Sequence, residues 1–177
     1  MRYSQKMRFA AIIFLCLFFS VFPLVGHAAQ DVPLPTVVGS GSAVEGDVLS
    51  VNGQVVRLWG IDAPEVKQTC TTRFNKQYDC FTPSKNMLSS YIGSKQVTCY
   101  IRGQDSNGQK VGTCGVNGLD LAALMVKSGW ALAYIDLSPQ YVELEGIAQS
   151  EKRGLWGGIR VEPPWSWRSR QQAAQNK

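Results

Sequence analysis

Histidine is almost missing from this chain, and that scarcity narrows the chemistry first. One occurs in 177 residues, His27, and it falls inside an N-terminal stretch that reads as a secretory signal. Arg2, Lys6 and Arg8 precede an unbroken apolar run from Phe9 to Phe19, with small residues at Gly26 and Ala28, so cleavage is expected after Ala28. The run is short for a bilayer and Pro23 follows it, so a retained membrane anchor fits less well. Bulky Leu15 before Cys16 argues against a lipoprotein site. The mature chain is therefore expected to be secreted or periplasmic, free of the membrane and free of histidine. That leaves no Ser-His-Asp site, no Cys-His site and no His-ligated zinc. Catalysis would have to run on carboxylates, Arg, Lys, Tyr or a cation held by oxygen.

Net charge is also small. The signal holds three of the 18 basic residues and none of the 13 acidic ones, leaving the mature chain at +2. Such a balance is compatible with a polyanion partner but does not require one. About 149 mature residues suit one domain with an ordinary core. No internal repeat is visible.

Short Cys-x-x-Cys spacings are absent as well. Cys70, Cys80, Cys99 and Cys114 survive cleavage. An even count in an exported chain reads as disulfides, with three possible pairings. A zinc site of four thiolates is the competing reading, weakened by the spacing. If Asp105-Ser106-Asn107-Gly108 turns a hairpin, Cys99 and Cys114 fall opposite each other, and Cys70 and Cys80 close a short loop. The predicted bridges are 70–80 and 99–114.

What is present divides into a signal (1–28), a flexible leader (29–42), a folded domain (43–168) and a disordered tail (169–177). Val44 to Val51 and Val55 to Ile61 are predicted strands around Asn52-Gly53, a strong type I′ hairpin signal. A loop over 62–81 carries the first cysteine pair. Thr82-Pro83 should open a helix that Gly93 ends. A second hairpin pairs Val97 to Ile101 with Lys110 to Val116. Asp120 should cap a helix that stops at Gly129. A short strand over Trp130 to Tyr134 and a helix from Ser138-Pro139 to near Gly154 complete the order β-β-α-β-β-α-β-α. That order predicts an α+β fold: a five-stranded OB-type barrel with about three packed helices.

The chemistry concentrates in Arg57-Leu58-Trp59-Gly60-Ile61-Asp62-Ala63-Pro64-Glu65. Its first half alternates like a half-buried strand and its second half breaks into a turn at Pro64. Arg can grip phosphate in a bidentate fork, Asp can hold a hard cation, and Glu can orient or deprotonate a water. A surface ion pair beside a tight turn is the plainer alternative.

Over most of the mature chain, from about Val44 to Arg168, the sequence resembles the thermonuclease, or staphylococcal-nuclease-like, family. The resemblance rests on Val44-Glu45-Gly46-Asp47, on the stretch from Arg57 to Glu65, and on the turn at 105–108. It continues through Gly129 to Tyr134 and Lys152-Arg153-Gly154-Leu155-Trp156, ending at Pro163-Pro164-Trp165-Ser166-Trp167-Arg168. The four cysteines look like those of exported bacterial members. The resemblance implies a calcium-dependent hydrolase of DNA or RNA phosphodiesters; the chain is expected to act as a monomer. It implies Asp47, Asp62 and the Ala63 carbonyl as calcium ligands and Glu65 as general base or water-orienting group. Arg57 would be one of two transition-state arginines, and Tyr134 would line the nucleotide pocket.

Two features qualify that picture. In an ideal hairpin Val48 pairs with Arg57, so Asp47 and Arg57 face opposite ways unless the chain bends near Gly46. The family pattern is also broken: Glu45-Gly46-Asp47-Val48 replaces Asp-Gly-Asp-Thr, and the turn has lost its tyrosine and the basic residue before it. Gln109 stands where the second arginine belongs, with no charge to offer. Lys110 should point away from Gln109's face, while Arg102 shares that face and is the possible substitute. Two readings follow: a weakened exported nuclease, or a retired nuclease fold that binds nucleic acid, polysaccharide or protein. For the second, Trp165 and Trp167 would form a stacking surface between Arg160 and Arg168; packing of the tail against the barrel is the plainer role for both.

Overall fold

Five strands close on themselves in the computed structural model, which describes residues 33–176. They are β1 (Thr36–Ala43), β2 (Val48–Val51), β3 (Gln54–Leu58), β4 (Gln96–Gln104) and β5 (Lys110–Val116). The order is β3-β2-β1-β4-β5, with antiparallel neighbours until β3 meets β5 in parallel and shuts the ring. Closure leaves none of the five with a free edge. Alternate side chains point inward: Leu49 and Val51, Val56 and Leu58, Val97 and Cys99, Cys114 and Val116 are all buried. Helices α1 (Phe81–Ile92) and α2 (Leu121–Lys127) pack on the barrel, and α3 (Val142–Ser150) packs on α2. Leu88, Ile92, Leu121, Met125 and Val126 add to the same core. Each such side chain stabilises the fold by about 1.5–3 kcal/mol relative to exposure.

The expected OB-type α+β barrel is the one observed. Asn52 and Gly53 both adopt positive φ, as a type I′ turn demands, and Val48 pairs with Arg57 as predicted. Cys99 lies opposite Cys114, and both predicted disulfides are formed. The Asp120 carboxylate caps α2 by accepting from the Ala122 and Ala123 amides.

Several expectations give way. Residues 36–42, read as leader, are the body of β1. Its side chains are mostly small and only Val37 is buried, but its backbone is bonded on both sides, to β2 and β4. The strand predicted over 44–51 is interrupted by a bend at 44–47, in which the Val44 and Glu45 amides both donate to the Val48 carbonyl. The loop over 62–81 contains a small ladder, Thr69–Thr72 against Gln77–Asp79, crosslinked by Cys70–Cys80. Cys80, not Thr82, is the N-cap of α1, and the preceding Asp79 carboxylate accepts from the Phe81 and Thr82 amides. The tail expected to be disordered over 169–177 belongs largely to a fourth helix, α4 (Pro164–Gln175), with proline in its first turn. The predicted signal over 1–28 lies outside the described residues. Among those described, no helix is long and apolar enough to cross a membrane.

Candidate active site

The bend at 44–47 answers the problem of facing. Had β2 continued back through Asp47, that side chain would have pointed away from Arg57. Instead the chain turns at Gly46, where an added Cβ would run into Ser84 Oγ and stand 2.7 Å from Ala63 Cβ. Only glycine fits. Asp47 swings round, and Arg57 Nη1 donates to its Oδ2 at 2.6 Å. Arg57 also lies 4.0 Å from Glu45 and 3.7 Å from Asp105, which sits in the hairpin turn between β4 and β5.

Asp62 is positioned separately. Ile61 and Asp62 pair with Leu132 and Ala133, the short strand predicted after α2. Pro64 then turns the chain, and the Glu65 amide donates to Oε1 of buried Gln68 at 3.0 Å. Onto this corner α4 delivers Arg168. Its two Nη atoms form a fork on the Asp62 oxygens at 2.9 and 2.8 Å, and Nη1 also donates to Glu65 Oε1. These groups surround a cavity of about 560 Å³ lined by Glu45, Arg57, Asp62, Glu65, Tyr134 and Arg168, among others. Asp47 is 2% exposed and lies off the cavity wall, shielded behind Arg57.

Burial and crowding push Asp47, Asp62 and Glu45 toward the protonated form. Asp47 is raised to about 7, by burial first; Arg57 opposes the shift, while Asp62, Glu45 and Glu65 add to it. Asp62 and Glu45 are raised as well, again by burial first, with the Arg168 hydrogen bond opposing at Asp62 and Arg57 opposing at Glu45. Burial works against the charge on Arg168, but Asp62 and Glu65 outweigh it and hold the guanidinium protonated.

The donor set fits a hard divalent cation in chemistry and charge. Glu45, Asp47, Asp62 and Glu65 face the guanidiniums of Arg57 and Arg168, an excess of two negative charges, and all are oxygen donors of the kind calcium takes. Yet no three acidic side chains converge on one point among the described residues. Both Asp62 oxygens are taken by the Arg168 fork.

The other predicted residues are placed unevenly. Ala63 is buried beside Asp62, and Tyr134 lines the cavity with its ring 5.4 Å from that of Trp165. Gln109 does not line the cavity, and its Nε2 is buried with no partner. Arg102 occupies a bulge in β4, donates to Thr113 Oγ1 at 2.8 Å and lies over the Trp59 ring. It reaches the cavity rim but none of the carboxylates. Lys110 faces elsewhere, donating to Gln54, as its strand position predicts. Sequence reasoning missed Gln68, and it placed Arg168 only beside the Trp165–Trp167 surface, not in this pocket. For Arg168 a signal was available: a helix opened by Pro164 puts Trp165 and Arg168 three apart on one face.

A family model described as Staphylococcal nuclease homologue matches residues 55–158, more than half of the chain. The chain belongs to the staphylococcal nuclease family. Within that span lie Arg57, Asp62, Glu65 and Tyr134; Asp47 precedes it and Arg168 follows it. Similar proteins include "Probable staphylococcal-like nuclease CAN3" of Oryza sativa subsp. japonica, 34% identical over 67% of this chain and 29% of that protein. "Succinoglycan biosynthesis protein ExoI" of Rhizobium meliloti (strain 1021) is 30% identical over 68% of this chain and 64% of its own. An "Uncharacterized endonuclease" of Escherichia coli O157:H7 is 32% identical over 65% of this chain and 71% of its own. The chain thus spans less than a third of the rice protein and just under two thirds of the rhizobial one.

Proposed function

We propose that this member of the staphylococcal nuclease family hydrolyses phosphodiester bonds of DNA or RNA with calcium, in an exported form, as a monomer. The observation that carries the reading is the meeting of Arg57, Asp62 and Glu65 at one cavity, with Asp47 bonded to Arg57 just off its wall although ladder register alone would have separated those two. Asp47, Asp62 and the Ala63 carbonyl would hold calcium, which supplies positive charge beside the phosphate when bound. Arg57 stands on the wall where a phosphate oxygen can take its remaining N–H groups, a fixed donor for charge that develops in the transition state. Glu65 faces the same space and orients or deprotonates a water. Tyr134 offers a ring face to a base or sugar. Two disulfides suit an oxidising compartment and support export. With Gln109 off the cavity, the site runs without an arginine at that position and is expected to be slower than a site that has one.

The test is cleavage of single-stranded DNA and RNA by the disulfide-intact chain, with calcium or with chelator. Chelation and Asp62→Ala should each abolish cleavage. Arg57→Lys, which keeps the charge and loses the fork, should lower kcat by about 10²–10³-fold. Cleavage that persists in chelator and in Asp62→Ala would refute the calcium assignment. A chain inert on both polynucleotides, yet retaining one on a filter, would be the binding module instead.

A further inference from the structure

The cavity is lined by three guanidiniums among the described residues, those of Arg57, Arg102 and Arg168. Arg102 is spent at the rim on Thr113 and Trp59. Gln109 is turned into the protein. Arg168 lines the same cavity as Arg57, in contact with Asp62 and Glu65. We propose that Arg168, carried by α4, is the pocket's second phosphate-gripping guanidinium, a catalytic residue filling the role that position 109 leaves vacant. This rests on the nuclease reading above.

The helix that carries Arg168 is built to stay in place while the side chain moves. Pro164 is buried, and Trp165 packs on Tyr134 and beside Leu132, Leu155 and the Cys70–Cys80 bridge. Arg170 forks onto Glu162 at 3.0 and 2.7 Å, and Gln68 donates to the Glu162 carbonyl at 2.9 Å. The segment before α4 is thereby tied to the loop that carries Glu65. By contrast the Arg168 side chain is 37% exposed and bonds Asp62 and Glu65 directly on the cavity wall. With two negative charges in excess, its present seat on Asp62 and Glu65 is where electrostatics sends an unengaged guanidinium. A phosphate entering between Arg57 and Arg168 offers the same fork-shaped acceptor. Arg168 can turn to it without α4 shifting.

A structural alternative would have Arg168 merely neutralise Asp62. The two roles separate by chemistry. Neutralisation needs a positive charge, whereas in-plane bidentate donation to a phosphate needs a guanidinium. Steady-state cleavage of a single-stranded DNA oligonucleotide should be compared for the unsubstituted chain, Arg168→Lys, Arg168→Gln and, as a control on the same helix, Arg170→Lys. Both Arg168 variants should lose about 10²–10³-fold in kcat with KM within about threefold, the mark of a contact made in the transition state. Arg170→Lys should be unchanged. Calcium titration by calorimetry without DNA gives a second readout. Arg168→Gln should bind calcium severalfold more tightly, because both Asp62 oxygens are released. Melting curves check folding, and should Arg168→Gln not fold, Arg168→Lys decides. If the unsubstituted chain cuts in a chelator-sensitive way and Arg168→Lys keeps its kcat within threefold, the inference falls and the nuclease reading stands. An inert unsubstituted chain overturns both.

Discussion

Gly46→Ala should be the most damaging conservative change near the pocket. The new methyl would meet Ser84 Oγ and lie 2.7 Å from Ala63 Cβ. Neither neighbour can yield easily. Ser84 is fully buried on α1 and its hydroxyl donates to the Trp130 carbonyl at 2.7 Å, while Ala63 is buried next to Asp62. Overpacking of this kind costs about 1–3 kcal/mol. If Ser84 turns aside, the abandoned Trp130 carbonyl costs about 1–3 kcal/mol more. A total of about 2–6 kcal/mol corresponds to a fall of roughly 5–20 °C in Tm for a domain of this size. The measurement is a double-mutant cycle by thermal melting with Ser84→Ala. Removing the hydroxyl relieves the tighter of the two clashes, so the pair should cost less than the sum of the singles by about 1 kcal/mol or more. Cleavage should fall further than stability alone explains, because the displaced bend carries Asp47 away from Arg57. A Gly46→Ala melt within about 2 °C of the unsubstituted chain would refute the reasoning, as would strict additivity with Ser84→Ala.

Other outcomes follow from the same geometry. In chelator, Asp47 holds its proton up to about 7 in the folded chain, well above the ordinary 3.8. A folded-state carboxyl raised in this way favours folding as pH falls through that window. The chelated protein should therefore gain stability between pH 8 and pH 5 from this group, and Asp47→Asn should remove the gain; equal pH dependence in both chains would contradict it. Breaking the Cys99–Cys114 bridge with paired serines frees a crosslink 15 residues in span inside the barrel wall. It should cost about 3 kcal/mol in the chain-entropy account, and an unchanged denaturation midpoint would count against the bridge as a stabilising element.

Local chemistry made much of the barrel legible. Asn52-Gly53 announced its turn, the turn at 105–108 set Cys99 against Cys114, and Asp120 capped its helix, because each signal acts within a few residues of itself. β1 escaped notice because a strand paired on both sides is held by backbone bonds, which Ser-Gly-Ser conceals. Composition described it wrongly. The bend at Gly46 was legible as a need but not as a geometry, since Ser84 and Ala63 impose it from far along the chain. Arg168 was hidden for a related reason: α4 is polar along most of its length, and Trp165 places it only through partners near 70–80, 132 and 155. Half of the candidate site was readable as a motif. The other half exists only after the chain has returned to it.

That return sets the order of assembly. The cavity's walls run from Glu45 to Arg168, more than a hundred residues apart in the chain, and β3 cannot be sealed until β5 has been made. A chain still threading through a ribosome exit or a translocation pore would hold Arg57 and Asp62 without their opposite wall. The pocket would be the last thing such a polypeptide completes.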